Sequence, residues 1–214
     1  MTGVPAPHDL LRLRTVDDVI AGGPLPGWAT EALARAPYVV VRRARAAQGA
    51  IPVGIRGPER RHRLAAVLRS GAAAARIVPE DLAAGAWRRT ARRATVPALA
   101  ALDRIAAVMS DAARPWGPTG SVGFELATGV PVAGRQSDLD LVVRCPLRWP
   151  RYDAGEVLAA LDAVDPDVAL DVQIETPTGA VALREYAAGR VPLLLRTRGG
   201  PRLVEDPWTA DGAA

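Results

Sequence analysis

Two short runs constrain this chain more than anything else in it. They are Ser137-Asp138-Leu139-Asp140-Leu141-Val142-Val143 and, further on, Val168 to Glu175 with its core Leu170-Asp171-Val172-Gln173-Ile174-Glu175. Both are predicted strands, and both set aspartates into sequence otherwise made for burial. Asp138 and Asp140 are two apart, so their side chains leave one strand on one face. In the second run Leu170, Val172 and Ile174 point to a core, and Asp171, Gln173 and Glu175 point the other way. Two carboxylates about 5–7 Å apart on one face repel unless a cation sits between them. Placing them beside buried leucines and valines is costly without such compensation. If the strands are neighbours, Asp171 completes a carboxylate triad able to hold two Mg²⁺ ions.

The elements around these strands predict an α+β fold. Helices are expected over Val122–Ala127 (closed by Gly129), Asp153–Val164 and Val181–Ala188 (closed by Gly189). Strands are expected at Pro192–Leu195 and Arg202–Val204. That alternation makes a small mixed β-sheet with packed helices. The first half reads as an N-terminal α+β domain. Thr15 caps a short helix through Ile20, and a helix over Trp28–Arg35 stops at Pro37. Strands Tyr38–Val41 and Ile51–Ile55 are joined by a hairpin-like connection. Gly57-Pro58-Glu59 opens a helix through Leu68, since proline suits a first helical turn, and Pro79-Glu80-Asp81 opens another. Leu99, Leu102, Ile105, Ala106 and Met109 recur at helical spacing over Pro97–Ala113. The domain boundary is placed just before this helix, dividing residues 1–94 from 95–214.

Composition narrows the class. With 214 residues and 49% hydrophobic content the chain can build a core and is not disordered by composition. No apolar run reaches the ~18–20 residues of a membrane span, and the start lacks a signal-peptide pattern, so a cytoplasmic protein without membrane contact is expected. One cysteine and two histidines exclude a disulfide framework and a cysteine- or histidine-rich metal site. Every basic residue is arginine. Residues 1–115 carry 18 Arg against 9 acids, and residues 116–214 carry 9 Arg against 14. The basic half suits phosphates, nucleic acid or an acidic protein, and the acidic half suits divalent cations. Few aromatics means few stacking platforms, which disfavours a single-strand nucleic-acid binder.

The turn Pro118-Thr119-Gly120-Ser121 at a helix start supplies an anion pocket from backbone N–H groups and the Ser121 hydroxyl. Gly120, with no side chain, lets a phosphate approach closely. Gly-Ser at a helix start, Asp-x-Asp on one strand and a third Asp on a later strand resemble the nucleotidyltransferase superfamily. The 16 residues between Ser121 and Asp138 exceed the superfamily's usual spacing, with a loop over 129–137 making up the difference. A narrower resemblance covers about Asp9 to Leu195. The runs GSVGFELATGVPVAGRQSDLDLVVR (120–144), VVVRRA (39–44), IPVGIRG (51–57) and LDVQIETPTGAVALREYAAG (170–189) are similar to the malonate decarboxylase holo-acyl-carrier-protein synthases, the phosphoribosyl-dephospho-CoA transferases.

The resemblance implies a donor, triphosphoribosyl-dephospho-CoA, whose phosphoribosyl-dephospho-CoA group passes to a serine of the malonate decarboxylase acyl carrier protein with release of pyrophosphate. It further implies Mg²⁺, with Mn²⁺ as a substitute, held by Asp138, Asp140 and Asp171. Asp171 would also help deprotonate the serine, and Gly120 and Ser121 would hold pyrophosphate oxygens. Two arginine groups, Arg42, Arg43 and Arg45, and Arg56, Arg60, Arg61 and Arg63, are candidates for the donor's phosphates or the carrier protein. The alternatives are a nucleotidyltransferase with another hydroxyl acceptor (the citrate lyase carrier protein, a small molecule or a nucleic-acid end) and a non-catalytic binding module of the same fold. Glu175 is expected as a solvated strand end, Glu125 as a surface helix residue and His62 as a surface histidine on a helix. Cys145 is expected as a small buried residue, and the tryptophans as core or interface anchors.

Overall fold

Short β-branched and leucine-rich runs separated by Gly, Pro and charged residues favour many brief strands over a few long helices, and the fold follows that bias. The structure, a computed structural model, describes residues 3–59 and 61–209; Arg60 lies outside the described residues. The chain forms two compact units. One takes in the described residues up to Val78 together with Phe124–Val132, and the other takes in Pro79–Gly123 and those from Ala133 onward. Each is built on a six-stranded sheet with helices, the α+β architecture expected.

In the first unit the strands are β1 (Leu10–Leu13), β2 (Val19–Ala21), β3 (Tyr38–Val41), β4 (Ala50–Arg56), β5 (Arg63–Arg69) and β6 (Ala73–Ile77). They pair antiparallel in the order β2-β5-β4-β3-β1-β6. Helix α1 (Gly27–Arg35) packs Ala29 and Leu33 into a core with Leu11, Val39, Val53, Ile55 and Leu68. Each leucine, isoleucine or valine among them, fully buried, contributes about 1.5–3 kcal/mol. Thr15 does cap, accepting the N–H of Asp17, but the turn it opens ends at Asp18 and β2 follows.

The expected helix from Gly57 to Leu68 is instead the β4–β5 turn and strand β5. Ile55 pairs with Leu64 and Val53 with Ala66 along that hairpin. Pro58 imitates a helix start, but burial of Ala66 and Leu68 at alternate positions has the period of a strand. His62 is accordingly not helical. Its ring stacks on Trp28 at 5.0 Å, and a Cβ on Gly57 would lie 2.6 Å from both residues. Glu125 is buried and accepts the backbone N–H of Val132 at 2.9 Å, pinning the segment after its helix, so it is no surface residue. At the other edge, fully buried Asp9 accepts from Arg76 Nε at 2.7 Å and from the N–H of Ala6. Such a buried pair holds its place because removing either partner strands a charge.

In the second unit come α2 (Pro79–Ala83), α3 (Pro97–Asp111), β7 (Trp116–Pro118), the start of α4 (Gly120–Thr128), β8 (Leu139–Arg144), α5 (Arg151–Asp162), β9 (Leu170–Glu175), β10 (Ala180–Ala182), α6 (Leu183–Ala187), β11 (Leu193–Thr197) and β12 (Gly200–Val204). The sheet order is β12-β11-β10-β9-β8-β7, with β8–β9 parallel and the other pairs antiparallel. It is a mixed sheet, as the alternation of strand and helix required. Pro97 starts α3, which buries Leu99, Leu102, Ile105 and Met109. Val181 and Ala182 belong to β10, so the helix expected from Val181 begins at Leu183. No described helix is long and apolar enough to cross a membrane.

The basic stretch before α3 is largely structural. Trp87, fully buried, donates its Nε1–H to Asp103 at 2.9 Å; Arg88 donates to the same carboxylate at 3.0 Å, and Arg93 pairs with it. These donors, the indole first, hold the Asp103 carboxyl at about 2, below the usual carboxylate range. Its side chain is 35% exposed, so solvent screens the network and its contribution is about 1 kcal/mol. A lowered folded-state pKa stabilises above the unfolded value and stops doing so as pH falls through about 4 toward about 2. Asp103→Asn is therefore expected to lower stability by about 1 kcal/mol at pH 7. Urea unfolding at stepped pH should show the gap from wild type closing between about pH 4 and 2.

Candidate active site

Glycines at every third position, Gly117, Gly120 and Gly123, shape the link from β7 into α4. A Cβ on Gly117 would lie 2.0 Å from the carbonyl oxygen of Pro79, and one on Gly123 would lie 2.4 Å from that of Pro118. Gly120 has φ +58, a left-handed conformation suited to glycine, and a Cβ there would stand 1.7 Å from Asp140 Oδ2. The Asp140 carboxylate thus occupies the space a side chain at 120 would need. Thr119 fixes the turn from both sides: its N–H donates to the Asp140 carbonyl at 2.8 Å, and its carbonyl accepts from Gly123 at 2.7 Å. The first N–H groups of a helix have no intrahelical acceptor and carry its positive end. Gly120 and Ser121 present that end beside Asp140.

The parallel pairing of β8 and β9 brings the acids together. Asp140 is the register partner of Asp171, flanked by the pairs Leu139–Leu170 and Leu141–Val172. Leu139, Leu141, Val172 and Ile174 are buried, Asp140 is half-buried and Asp171 is exposed, while Val142 and Glu175 farther along the acids' face are buried as well. Asp138 sits one residue before β8, where the Leu139 N–H donates to the Ala169 carbonyl and closes the ladder. Of the five expected site residues, Gly120, Asp140 and Asp171 are joined by direct packing or register. Ser121 lies in the first turn of α4 and Asp138 at the strand entrance.

Like charges directly opposite on neighbouring strands are unfavourable, and a cation is one of the groups that can offset that repulsion. Hard carboxylate oxygens are the donors Mg²⁺ and Mn²⁺ take, so the acids suit such an ion in donor type. Among the described residues no three His, Cys, Asp or Glu side chains are arranged as a metal-holding group.

Glu175, at the far end of β9, is buried rather than solvated and pairs in register with Arg144, whose Nε donates to Glu80 on α2 at 2.8 Å. It lies beside the residue that ties β8 to α2, four residues away from Asp171. Cys145 is buried as expected. Burial pushes its thiol up to about 11, which keeps it protonated and unreactive at neutral pH. Gly117 and Gly123 were not singled out as site residues, although their threefold spacing with Gly120 was visible in the sequence.

A helix start set against paired acids on parallel strands suits a transferase that handles phosphates. Comparison with known proteins gives the same class. Residues 6–79 match the family described as phosphoribosyl-dephospho-CoA transferase MdcG N-terminal domain, and residues 82–207 match its C-terminal domain. Proteins named phosphoribosyl-dephospho-CoA transferase are similar over nearly the whole length. One from Pseudomonas putida is 43% identical over 204 residues, covering 95% of each chain. One from Azotobacter vinelandii is 43% identical over 206 residues, 96% of this chain and 95% of its own. One from Pseudomonas aeruginosa is 39% identical over 204 residues, covering 95% and 94%. No solved structure matches. The chain belongs to the phosphoribosyl-dephospho-CoA transferase family and is a transferase.

Substituting Gly120→Ala is expected to cost about 2–3 kcal/mol, one part from the left-handed backbone and the rest from the collision with Asp140. Adding Asp140→Ala removes the collision, so the double variant should be only about 1 kcal/mol below the Asp140→Ala chain in urea unfolding.

Proposed function

We propose that this chain, acting in the cytoplasm, transfers the 2′-(5″-phosphoribosyl)-3′-dephospho-CoA group from its triphosphate donor to a serine of the malonate decarboxylase acyl carrier protein. The register pairing of Asp140 with Asp171 beside the Gly120 helix start carries this reading. It sets acids and anion-binding N–H groups on one small area, as a triphosphate donor requires. Family membership supplies the nature of the transferred group.

In this reading the serine Oγ attacks the α-phosphorus of the donor. A new O–P bond forms, the bond from the α-phosphorus to the bridging oxygen breaks, and pyrophosphate leaves with that electron pair. The serine proton passes to Asp171, the most exposed of the three acids. The N–H groups at Gly120 and Ser121, with the Ser121 hydroxyl, hold oxygens of the departing pyrophosphate. Asp138, Asp140 and Asp171 would supply the carboxylates for Mg²⁺, or Mn²⁺ in its place, which would draw together side chains that do not form a ready-made metal-holding group. Bound there, the ions neutralise the triphosphate and the leaving group. The protein's contribution is otherwise positioning, since the turn at Thr119 and the β8–β9 ladder allow the acids little movement.

Intact-mass spectrometry of the apo carrier protein, incubated with donor, Mg²⁺ and this protein, tests the proposal. The expected outcome is a mass gain equal to the phosphoribosyl-dephospho-CoA group. Asp140→Asn should slow it by about 10²–10³-fold, the scale of losing one preorganised charge in a transition state. No gain with folded protein would discard the assignment and direct attention to the citrate lyase carrier protein, or to ATP or CTP with other hydroxyl acceptors.

A further inference from the structure

The sheet face that carries Asp140 and Asp171 continues beyond β9. Side chains alternate along a strand, and register partners share a face. The Asp171 face therefore runs through half-buried Gln173 to its partner Ala182 on β10; at the far end it passes through Glu175 and Ala180, which are buried, to Arg196 on β11. Leu194, two residues from Arg196, lies on that face too. It is the register partner of Leu203 on the edge strand β12, as Arg196 is of Pro201. Strands β9 and β11 are both antiparallel to β10, so moving from Arg196 to Leu194 moves toward the Asp171 end. With about 4.8 Å between strands and 3.3 Å per residue, Leu194 stands roughly 12 Å from Asp171.

This leucine pair faces water. Leu194 is 38% exposed and Leu203 is 67% exposed, while Leu193, Leu195 and Val204 turn inward. Residues 190–205 carry four arginines, Arg190, Arg196, Arg198 and Arg202, against the single acid Glu205, within a half of the chain whose balance is acidic. All four are exposed and form no ion pair among the described residues. A groove of about 380 Å³ opens beside the pair, lined by Arg184, Glu185 and Arg190 as well as both leucines. Guarding an edge strand against unwanted pairing accounts for Pro201 and Arg202. It does not account for two leucines set opposite each other in solvent inside an arginine cluster.

We propose that this face of the β11–β12 hairpin docks the acceptor protein. An acidic surface with an apolar ridge seats on Leu194 and Leu203, its carboxylates pairing with Arg190, Arg196 and Arg198, and its serine is delivered along the sheet toward Asp171. The proposal rests on the transfer reading above for the partner's identity. It goes further in naming where the partner binds and by what chemistry.

The test uses the full chain, the apo carrier protein and the exposed-site variants Leu203→Asp and Arg196→Glu, each checked for an unchanged thermal melt. Transfer kinetics should show KM for the carrier protein raised about tenfold or more, with kcat at saturation and KM for the donor unchanged. Direct binding, read by anisotropy of a labelled apo carrier protein, should weaken by a similar factor. Wild-type affinity and KM in both variants would overturn the proposal. A wild-type chain that binds the carrier protein through these residues but never modifies it would sink the transfer reading and leave the docking site standing. A wild-type chain that does not bind it at all would overturn both.

Discussion

The pairing of β8 with β9 in parallel register is the constraint on which the rest of the site depends. It places Asp140 opposite Asp171, an arrangement two carboxylates resist, and the surrounding structure absorbs that resistance. The Leu139–Leu170 and Leu141–Val172 pairs alongside are apolar and lock the register, because a slip of one residue would turn buried leucines outward and acids inward. The positive end of α4 then lies against Asp140, at a position where no residue with a side chain leaves room for the carboxylate. The repulsion built into the strands is thus a consequence of the same packing that holds them together. On the proposed function, a site assembled this way is preorganised for a multiply charged donor before the donor arrives.

Much of this was legible because it rests on local pattern. The β8 and β9 acids, the helix at Pro97 and the Gly120 turn each follow from alternation, helical spacing or a glycine at a helix start. What was not legible depends on partners distant in the chain or on weak local signals. Ala73–Ile77 holds a single β-branched residue, Ile77, behind a run of alanines, yet it pairs along β1. Gly57-Pro58-Glu59 has the residues of a helix start, and only the hairpin with β4 makes Arg63–Arg69 a strand. Glu125 and Glu175 look like surface acids until the backbone of Val132 and the neighbouring Arg144 are brought beside them. In each case tertiary context overrode local preference.

The arginine count also changes meaning once partners are known. Arg76 neutralises Asp9, Arg88 and Arg93 share Asp103, Arg144 reaches Glu80 and Arg184 grips Asp162 with two bonds. These arginines hold elements of the fold together, and Arg76, Arg88 and Arg93 belong to the first 115 residues, so the count of 18 arginines there overstates how many are left for ligands. In the docking proposal recognition falls to arginines outside such pairs, and four of those in the second unit, Arg190, Arg196, Arg198 and Arg202, lie on or beside the β11–β12 hairpin. Concentrating charge on one edge orients an approaching partner as well as attracting it, since the field points from a single side.

The buried, protonated thiol of Cys145 has a practical meaning. With no lysine in the chain and its one cysteine covered, neither amine- nor thiol-directed reagents find a reactive side chain on the native surface. A cysteine introduced at any exposed position would be the sole handle for a fluorophore, a spin label or a crosslinker. The wild-type sequence already provides the silent background that most proteins must be stripped of residues to reach.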